Sequence, residues 1–351
     1  MVLVIGHSLV PVPPAKMIPF MAKHYLFYST WHNRAMRKIV TGGAGFIGSN
    51  YLRQVVSEDK DTEYVIVDSL TYAGRITNIE PLLGMRNVSF VQGNIADRSL
   101  VSSIIKTGDT VLNFAAESHV DRSINSGYEF VFTNVIGTQV LLDACLKAGG
   151  VKFVQISTDE VYGSIEEGSW DEEFPLRPNS PYSASKAAAD LLCLSYFHTF
   201  NLDVRITRCS NNYGPNQYPE KLVPFFIKRL LAGQTVPLYG TGANVREWIH
   251  VDDHIQGIKL VEVKGSPGEI YNLGSGEHFT NLEIAHLLIK NLELPENRIV
   301  FVEDRKGHDL RYSLNILKAK SKLGFEPKIR FERGLIETIE WYKRNPQELN
   351  T

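Results

Sequence analysis

The chain has 351 residues, 43% of them hydrophobic, with 37 Lys and Arg against 39 Asp and Glu. That length buries a sizeable core, in one large α/β domain or a domain pair, and the charge balance carries no field that argues for nucleic acid or a membrane surface; a small-molecule partner is expected. Cys145, Cys193 and Cys209 are widely spaced with no C-x-x-C, which implies no disulfide or zinc framework and fits a reduced, cytoplasmic setting.

Residues 1–35 scatter Pro11, Pro13, Pro14 and Pro19 through apolar sequence without a clean period. They make a poor signal peptide, because no basic residue precedes the apolar run. A disordered tail or a misassigned start is expected there, with Met36 as a natural beginning. No stretch is expected to reach the ~20 apolar residues of a membrane span.

From residue 38 onward, short Val- and Ile-rich runs alternate with helical patterns, the signature of βαβ units around a parallel sheet. Strands are predicted at 38–41, 64–68, 88–92, 110–114, 152–157 and 204–208, and helices at 46–57, 99–106, 129–148 and 181–200. Beyond them, Pro and Gly at 214–219, 237–242 and 265–268 punctuate short elements, with main helices predicted at 282–292 and 331–343. The expected fold class is α/β, a Rossmann-type doubly wound parallel sheet with a smaller interleaved C-terminal substrate lobe. The expected division is 36–208 for the nucleotide domain, with returning elements near 245–275, and 209–345 for the lobe.

Thr41-Gly42-Gly43-Ala44-Gly45-Phe46-Ile47-Gly48 lies between a predicted strand and helix. Its glycines permit a tight turn, close backbone approach to a pyrophosphate and close helix packing. Asp68 ends the next strand, where a carboxylate accepts hydrogen bonds from ribose hydroxyls and repels a 2′-phosphate, favouring NAD over NADP. Arg75 is the one nearby residue that would weaken that preference.

Tyr182 and Lys186 stand at i, i+4 on a predicted helix, where an ammonium on the same face favours ionisation of a phenol whose free value is near ~10. The run Ser157-Thr158-Asp159-Glu160-Val161-Tyr162-Gly163 adds a hydroxyl and two adjacent carboxylates. Like charges in proximity split their protonation, so one can act as acid and the other as base. Alone, such a pair is as readily a solvated acidic turn or a metal pair. His250-Val251-Asp252-Asp253-His254 also has metal-like spacing, but no metal is expected, and the segment reads instead as the start of a helix.

Together these motifs resemble the extended short-chain dehydrogenase/reductase family and, within it, the dTDP-glucose 4,6-dehydratases, over roughly residues 36–345. The resemblance extends to Asp68-Ser69-Leu70-Thr71-Tyr72-Ala73-Gly74, Ala115-Ala116-Glu117-Ser118-His119, Cys209-Ser210-Asn211-Asn212-Tyr213, Pro219-Glu220-Lys221-Leu222, Asn244-Val245-Arg246 and Gly307-His308-Asp309. It implies that Tyr182, assisted by Thr158 and Lys186, takes the C4 hydroxyl proton while hydride passes to NAD. Glu160 then removes the C5 proton, Asp159 protonates the departing C6 hydroxyl, and hydride returns to C6.

For the cofactor the resemblance implies Gly42, Gly45, Phe46, Ile47, Gly48, Asp68, Ser69, Leu70, Thr71, Asn94, Ile95, Ala115, Ala116, Thr133 and Asn212, besides Tyr182 and Lys186. For the nucleotide sugar it implies Ser118, Thr158, Asn211, Lys221, Leu222, Pro237, Tyr239, Arg246, Asn281, Asp304, Arg305 and His308, with Arg246 on the diphosphate. Helices 129–148 and 181–200 would pair into a homodimer. Asn94 departs from the family's usual Asp, Lys306 from a proline and Leu310 from an arginine, all outside the catalytic set. The function so implied is conversion of dTDP-glucose to dTDP-4-keto-6-deoxyglucose, on the way to deoxysugars such as rhamnose. The alternatives are a UDP-glucose 4,6-dehydratase, then a nucleotide-sugar 4-epimerase, or a non-catalytic NAD-binding protein.

Overall fold

The computed structural model describes residues 36–349; the tail expected at 1–35 lies outside the described residues. Six Val- and Ile-rich segments form β1 (Arg37–Thr41), β2 (Glu63–Asp68), β3 (Val88–Gln92), β4 (Thr110–Asn113), β5 (Lys152–Thr158) and β6 (Asp203–Cys209). Later come β7 (Asn211–Tyr213), β8 (Val236–Tyr239), β9 (Val245–His250), β10 (Ile270–Leu273), β11 (His278–Thr280) and β12 (Ile299–Val302). The main sheet has seven strands in the order β10-β6-β5-β4-β1-β2-β3, every pair parallel. Chain order reverses between β1 and β4, and in such sheets ligands bind beyond the strands' carboxyl ends at that reversal.

Both faces of the sheet are covered, so its strands carry apolar residues on both sides. One face buries Val40, Ile66, Leu112 and Val154 against the helices Phe46–Glu58 and Val251–Lys264. The other buries Ile39, Val65, Val111 and Phe153 against the helices Tyr128–Ala148 and Pro181–Phe200. Each such aliphatic side chain contributes roughly 1.5–3 kcal/mol by leaving water. A third core gathers Tyr213, Phe226, Leu238, Trp248, Leu288 and Phe331 around the sheets β11-β9-β7 and β12-β8. The chain leaves the main sheet after β6 and returns with the helix Val251–Lys264 and β10. Residues Ala319, Leu323 and Phe325 return as well.

Two local features differ from the sequence expectation. The helix 129–148 contains a π-helical stretch, Val131–Gly137, which the 3.6-residue period does not report. That same helix, Tyr128–Ala148, is long and apolar enough to cross a membrane by length and composition, although no such stretch was expected. Val140, Leu141, Leu142 and Cys145 on it are core residues, so packing against the sheet accounts for part of its apolar character. The His250–His254 segment starts a helix as expected: His250 Nδ1 accepts from the Asp252 N–H and caps the helix Val251–Lys264. His254 Nδ1 lies 2.9 Å from Asn212 Oδ1, and burial holds its imidazole down at about 3.

Candidate active site

The carboxyl ends of β1 to β6 deliver the predicted residues to three adjoining cavities of about 280, 620 and 130 Å³. The turn after β1 is sterically fixed. Gly42 has φ +67°, and a Cβ on Gly48 would stand 2.4 Å from the Gly42 carbonyl oxygen. The helix Phe46–Glu58 thus seats directly on the turn, with no side-chain cap and no acid in its first turn. Its first N–H groups are donors suited to a diphosphate.

Asp68 is buried at the end of β2, where its carboxylate accepts from the Ala44 and Leu70 N–H groups at 2.9 and 2.8 Å. Burial nevertheless raises its carboxyl above the usual range. It lines the smallest cavity with Ser69, Thr71, Asn94, Ile95 and Thr133, and Ala115 and Ala116 close the same cavity. Leu70 does not line it; its part is the N–H bond to Asp68. Unsatisfied helix N–H groups, a carboxylate and a glycine cradle fit a dinucleotide.

The helix Pro181–Phe200 begins with a capping box between Ser180 and Ser183 and Pro181 in its first turn. This start sets Tyr182 and Lys186 one turn apart on the buried face. β5 ends at Thr158, whose hydroxyl accepts from the Glu160 N–H at 3.3 Å and so starts the 3₁₀ turn Asp159–Tyr162. Gly163 ends this turn with φ +87°. The result places Thr158, Asp159, Glu160, Tyr182 and Lys186 around the 280 Å³ cavity, with Asn212 among its other walls.

The two carboxylates have unlike surroundings. Asp159 is 1% exposed; burial, Glu160 and Glu247 push its carboxyl well up, and the Thr158 hydroxyl, donating to Oδ1 at 3.2 Å, opposes this. Glu160 is also raised by burial, but Lys221, Arg246 and Arg305 pull it back.

Tyr182 does not follow the sequence expectation. Burial and the neighbouring Glu160 push its phenol well above the usual value, and its hydrogen bond with Thr158 pulls the other way. Lys186 lies one turn along the same buried face. Its ammonium donates to the Ile156 carbonyl at 2.7 Å, and burial lowers its own value.

The 620 Å³ cavity adjoins this site through Glu160, Asn211, Lys221 and Leu222, which line both. Pro237, Tyr239, Asn281, Arg305 and His308 line the larger cavity, and Ser118 the smaller. Lys221 Nζ donates to the Ser118 carbonyl at 2.6 Å. Asp304 stands behind His308, accepting from Nδ1 at 2.7 Å. Arg246 lies outside the lining. Its guanidinium donates to the Asp309 carbonyl at 2.9 Å and stacks 4.2 Å from the ring centre of Tyr312, which does line the cavity. Tyr312, Trp248 and Glu220 are wall residues that sequence reasoning did not place in the site. Glu220 lay within a quoted motif, whereas Tyr312 carried no signal beyond its position three residues after Asp309.

Sheet order, glycine turn and the Tyr182–Lys186 helix make this a short-chain dehydrogenase/reductase in class. A family model described as GDP-mannose 4,6 dehydratase matches residues 39–338, and the chain belongs to that family. A dTDP-glucose 4,6-dehydratase of Streptomyces antibioticus is 53% identical over 317 residues, 88% of this chain and 93% of that protein. The crystal structure of DesIV, a dTDP-glucose 4,6-dehydratase of Streptomyces venezuelae with NAD bound, has a TM-score of 0.87 at 51% identity, covering 89% of this chain and 98% of that one. A UDP-glucose 4-epimerase of Thermotoga maritima has a TM-score of 0.82 at 31% identity, covering 89% and 100%.

Proposed function

We propose that this chain is an NAD-dependent nucleotide-sugar 4,6-dehydratase that converts dTDP-glucose to dTDP-4-keto-6-deoxyglucose. The observation that carries this is the pair Asp159 and Glu160 in one cavity with Tyr182, because a 4-epimerase needs no acid and base beside its phenol. The dTDP-glucose 4,6-dehydratases among its relatives support the donor and the cofactor.

The Gly42–Gly48 turn, Asp68 and Lys186 would hold NAD, which would accept hydride from C4 and return it to C6. Tyr182 takes the C4 hydroxyl proton, with Thr158 holding that hydroxyl. The C4 ketone acidifies C5, and Glu160, faced by three cations, is the base that removes its proton. Asp159, kept protonated by burial and two carboxylate neighbours, gives its proton to the departing C6 hydroxyl. When hydride returns to C6, Glu160 gives the proton it took back to C5, so one water leaves and no net oxidation remains.

On this account residues 36–208 with the returning strand form the cofactor domain, and the third core forms the substrate lobe. The protein works in the cytoplasm as a homodimer. Exposed Tyr128, Val131, Ile136, Leu191 and Phe200 on its two long helices support such pairing. Incubation with dTDP-glucose and, separately, UDP-glucose tests the donor: loss of water from dTDP-glucose alone is expected. Loss from UDP-glucose alone would transfer the same chemistry to the other donor, and an unchanged mass with both would contradict the function.

A further inference from the structure

Behind the catalytic cavity, buried polar groups join the turn that carries Asp159 and Glu160 to the helix that carries Tyr182 and Lys186. Asp190 lies one helical turn beyond Lys186, so Tyr182, Lys186 and Asp190 follow at i, i+4 and i+8 on one face. Asp190 is fully buried, and its Oδ2 accepts from Arg208 Nε at 2.9 Å. Its Oδ1 has no hydrogen-bond partner among the described residues. Arg208, on β6, is 2% exposed. It also donates to the Tyr162 hydroxyl at 2.8 Å, and that hydroxyl donates to Asn272 Oδ1 at 2.9 Å. Tyr162 is the last residue of the 3₁₀ turn that begins with Asp159.

Arg208 pairs directly with Asp190, and Lys186 lies one helical turn away with its ammonium on the Ile156 carbonyl. Around Lys186 stand Tyr182, Asp190 and Cys193 on its own helix and Cys209 on β6, with Asp159 beyond Cys209 at the end of β5. Burial pushes the Cys209 thiol up to about 12 and Cys193 well up, so neither thiol is charged at neutral pH. Asp190 is the anion that favours a charged Lys186. If it paired with Lys186 alone, the two would cancel and leave no positive field at the phenol. Arg208 neutralises Asp190 from the other side, so the triad keeps one uncompensated positive charge on the catalytic face.

We propose that Asp190 and Arg208 are positioning residues: Asp190 is the buried counter-charge of Lys186, and Arg208 both offsets that counter-charge and ties the Asp159–Tyr162 turn to the Tyr182 helix. The proposal rests on the dehydratase function inferred above. Because Lys186 belongs to the cofactor site, the pair acts on NAD binding as well as on turnover.

Calorimetric NAD titration of the full chain across alkaline pH, without substrate, tests it. Wild-type affinity is expected to fall where Lys186 loses its proton, and Lys186→Met to lack that fall. Asp190→Asn should move the fall down by about one pH unit, since a nearby opposite charge shifts such groups by one to three units. Arg208→Gln should move it up, because Asp190 then serves Lys186 alone, while kcat for dTDP-glucose falls more than tenfold with KM little changed. Opposite shifts distinguish this role from general destabilisation, which moves both variants alike. If a single variant does not fold, Asp190→Asn combined with Arg208→Gln removes both members of the Asp190–Arg208 ion pair together, and its fall should still lie below that of the wild type. Unshifted midpoints, shifts in one direction for both variants, or a fall retained in Lys186→Met would overturn the proposal. Wild-type protein that binds NAD with the expected alkaline fall but never dehydrates a nucleotide sugar would instead overturn the function.

Discussion

Asp159 and Glu160 are consecutive in the chain, yet three cations draw down the second and only one of them, Arg246, the first. Lys221, Arg246 and Arg305 act on Glu160, while the carboxylates of Glu160 and Glu247 push Asp159 up, opposed by the Thr158 hydroxyl and Arg246. Burial raises both carboxyls, Asp159 well up, and the cations around Glu160 oppose that rise.

Glu160→Gln should lower the rate of water loss by about 10²–10⁴-fold, the usual worth of a positioned base. Reduced-nicotinamide absorbance should still rise in a single turnover, because oxidation at C4 precedes the step that needs Glu160. Stopped-flow absorbance beside product mass checks this, and normal product formation would contradict the assignment.

Asp159→Asn should lose product formation by a similar ~10²–10⁴-fold and gain stability. Burial raises the folded carboxyl above its unfolded value, so the native state binds the extra proton and stability falls as pH rises through that window. The amide removes this loss. Its melting temperature should exceed that of the wild type by roughly 2 °C or more at neutral pH, and the gap should close toward about pH 4, near the ordinary carboxyl value. Thermal melts across pH measure it.

Gly48→Ala places a Cβ 2.4 Å from the Gly42 carbonyl oxygen, against backbone that cannot step aside. We expect a stability loss of about 1–3 kcal/mol, as for overpacking, and at least a tenfold loss of NAD affinity, read by denaturant melts and calorimetry.

Leu191→Arg puts a charge at an exposed apolar position of the helix Pro181–Phe200. If that helix pairs with a second copy, sedimentation should show a monomer where the wild type is a dimer, with the folded monomer's circular dichroism unchanged.

Much of the main sheet was legible because its strands and helices are long and periodic. β3 and the helix Pro181–Phe200 match their predicted bounds, β1, β2 and β6 begin one residue early, and β5 ends one residue late. The elements after β6 were harder. β7, β8, β11 and β12 have three or four residues each, too short for alternation to register. The helix Leu222–Leu231 was hidden by a Pro in its first turn. In the site, the glycine turn and the Tyr182–Lys186 spacing were visible as local patterns. Where the Lys186 ammonium goes was not, because the Ile156 carbonyl is 30 positions away in the chain. Arg208 and Asp190 were invisible for the same reason: nothing local distinguishes a buried ion pair from two ordinary charges.

The most direct measurement of the central claim is the fate of the C4 hydrogen. Incubated with dTDP-glucose carrying deuterium at C4, the protein should yield a product lighter by one water with the deuterium in the C6 methyl group. Deuterium retained at C4 of an intact hexose, or lost to solvent, would contradict an internal 4,6-dehydration.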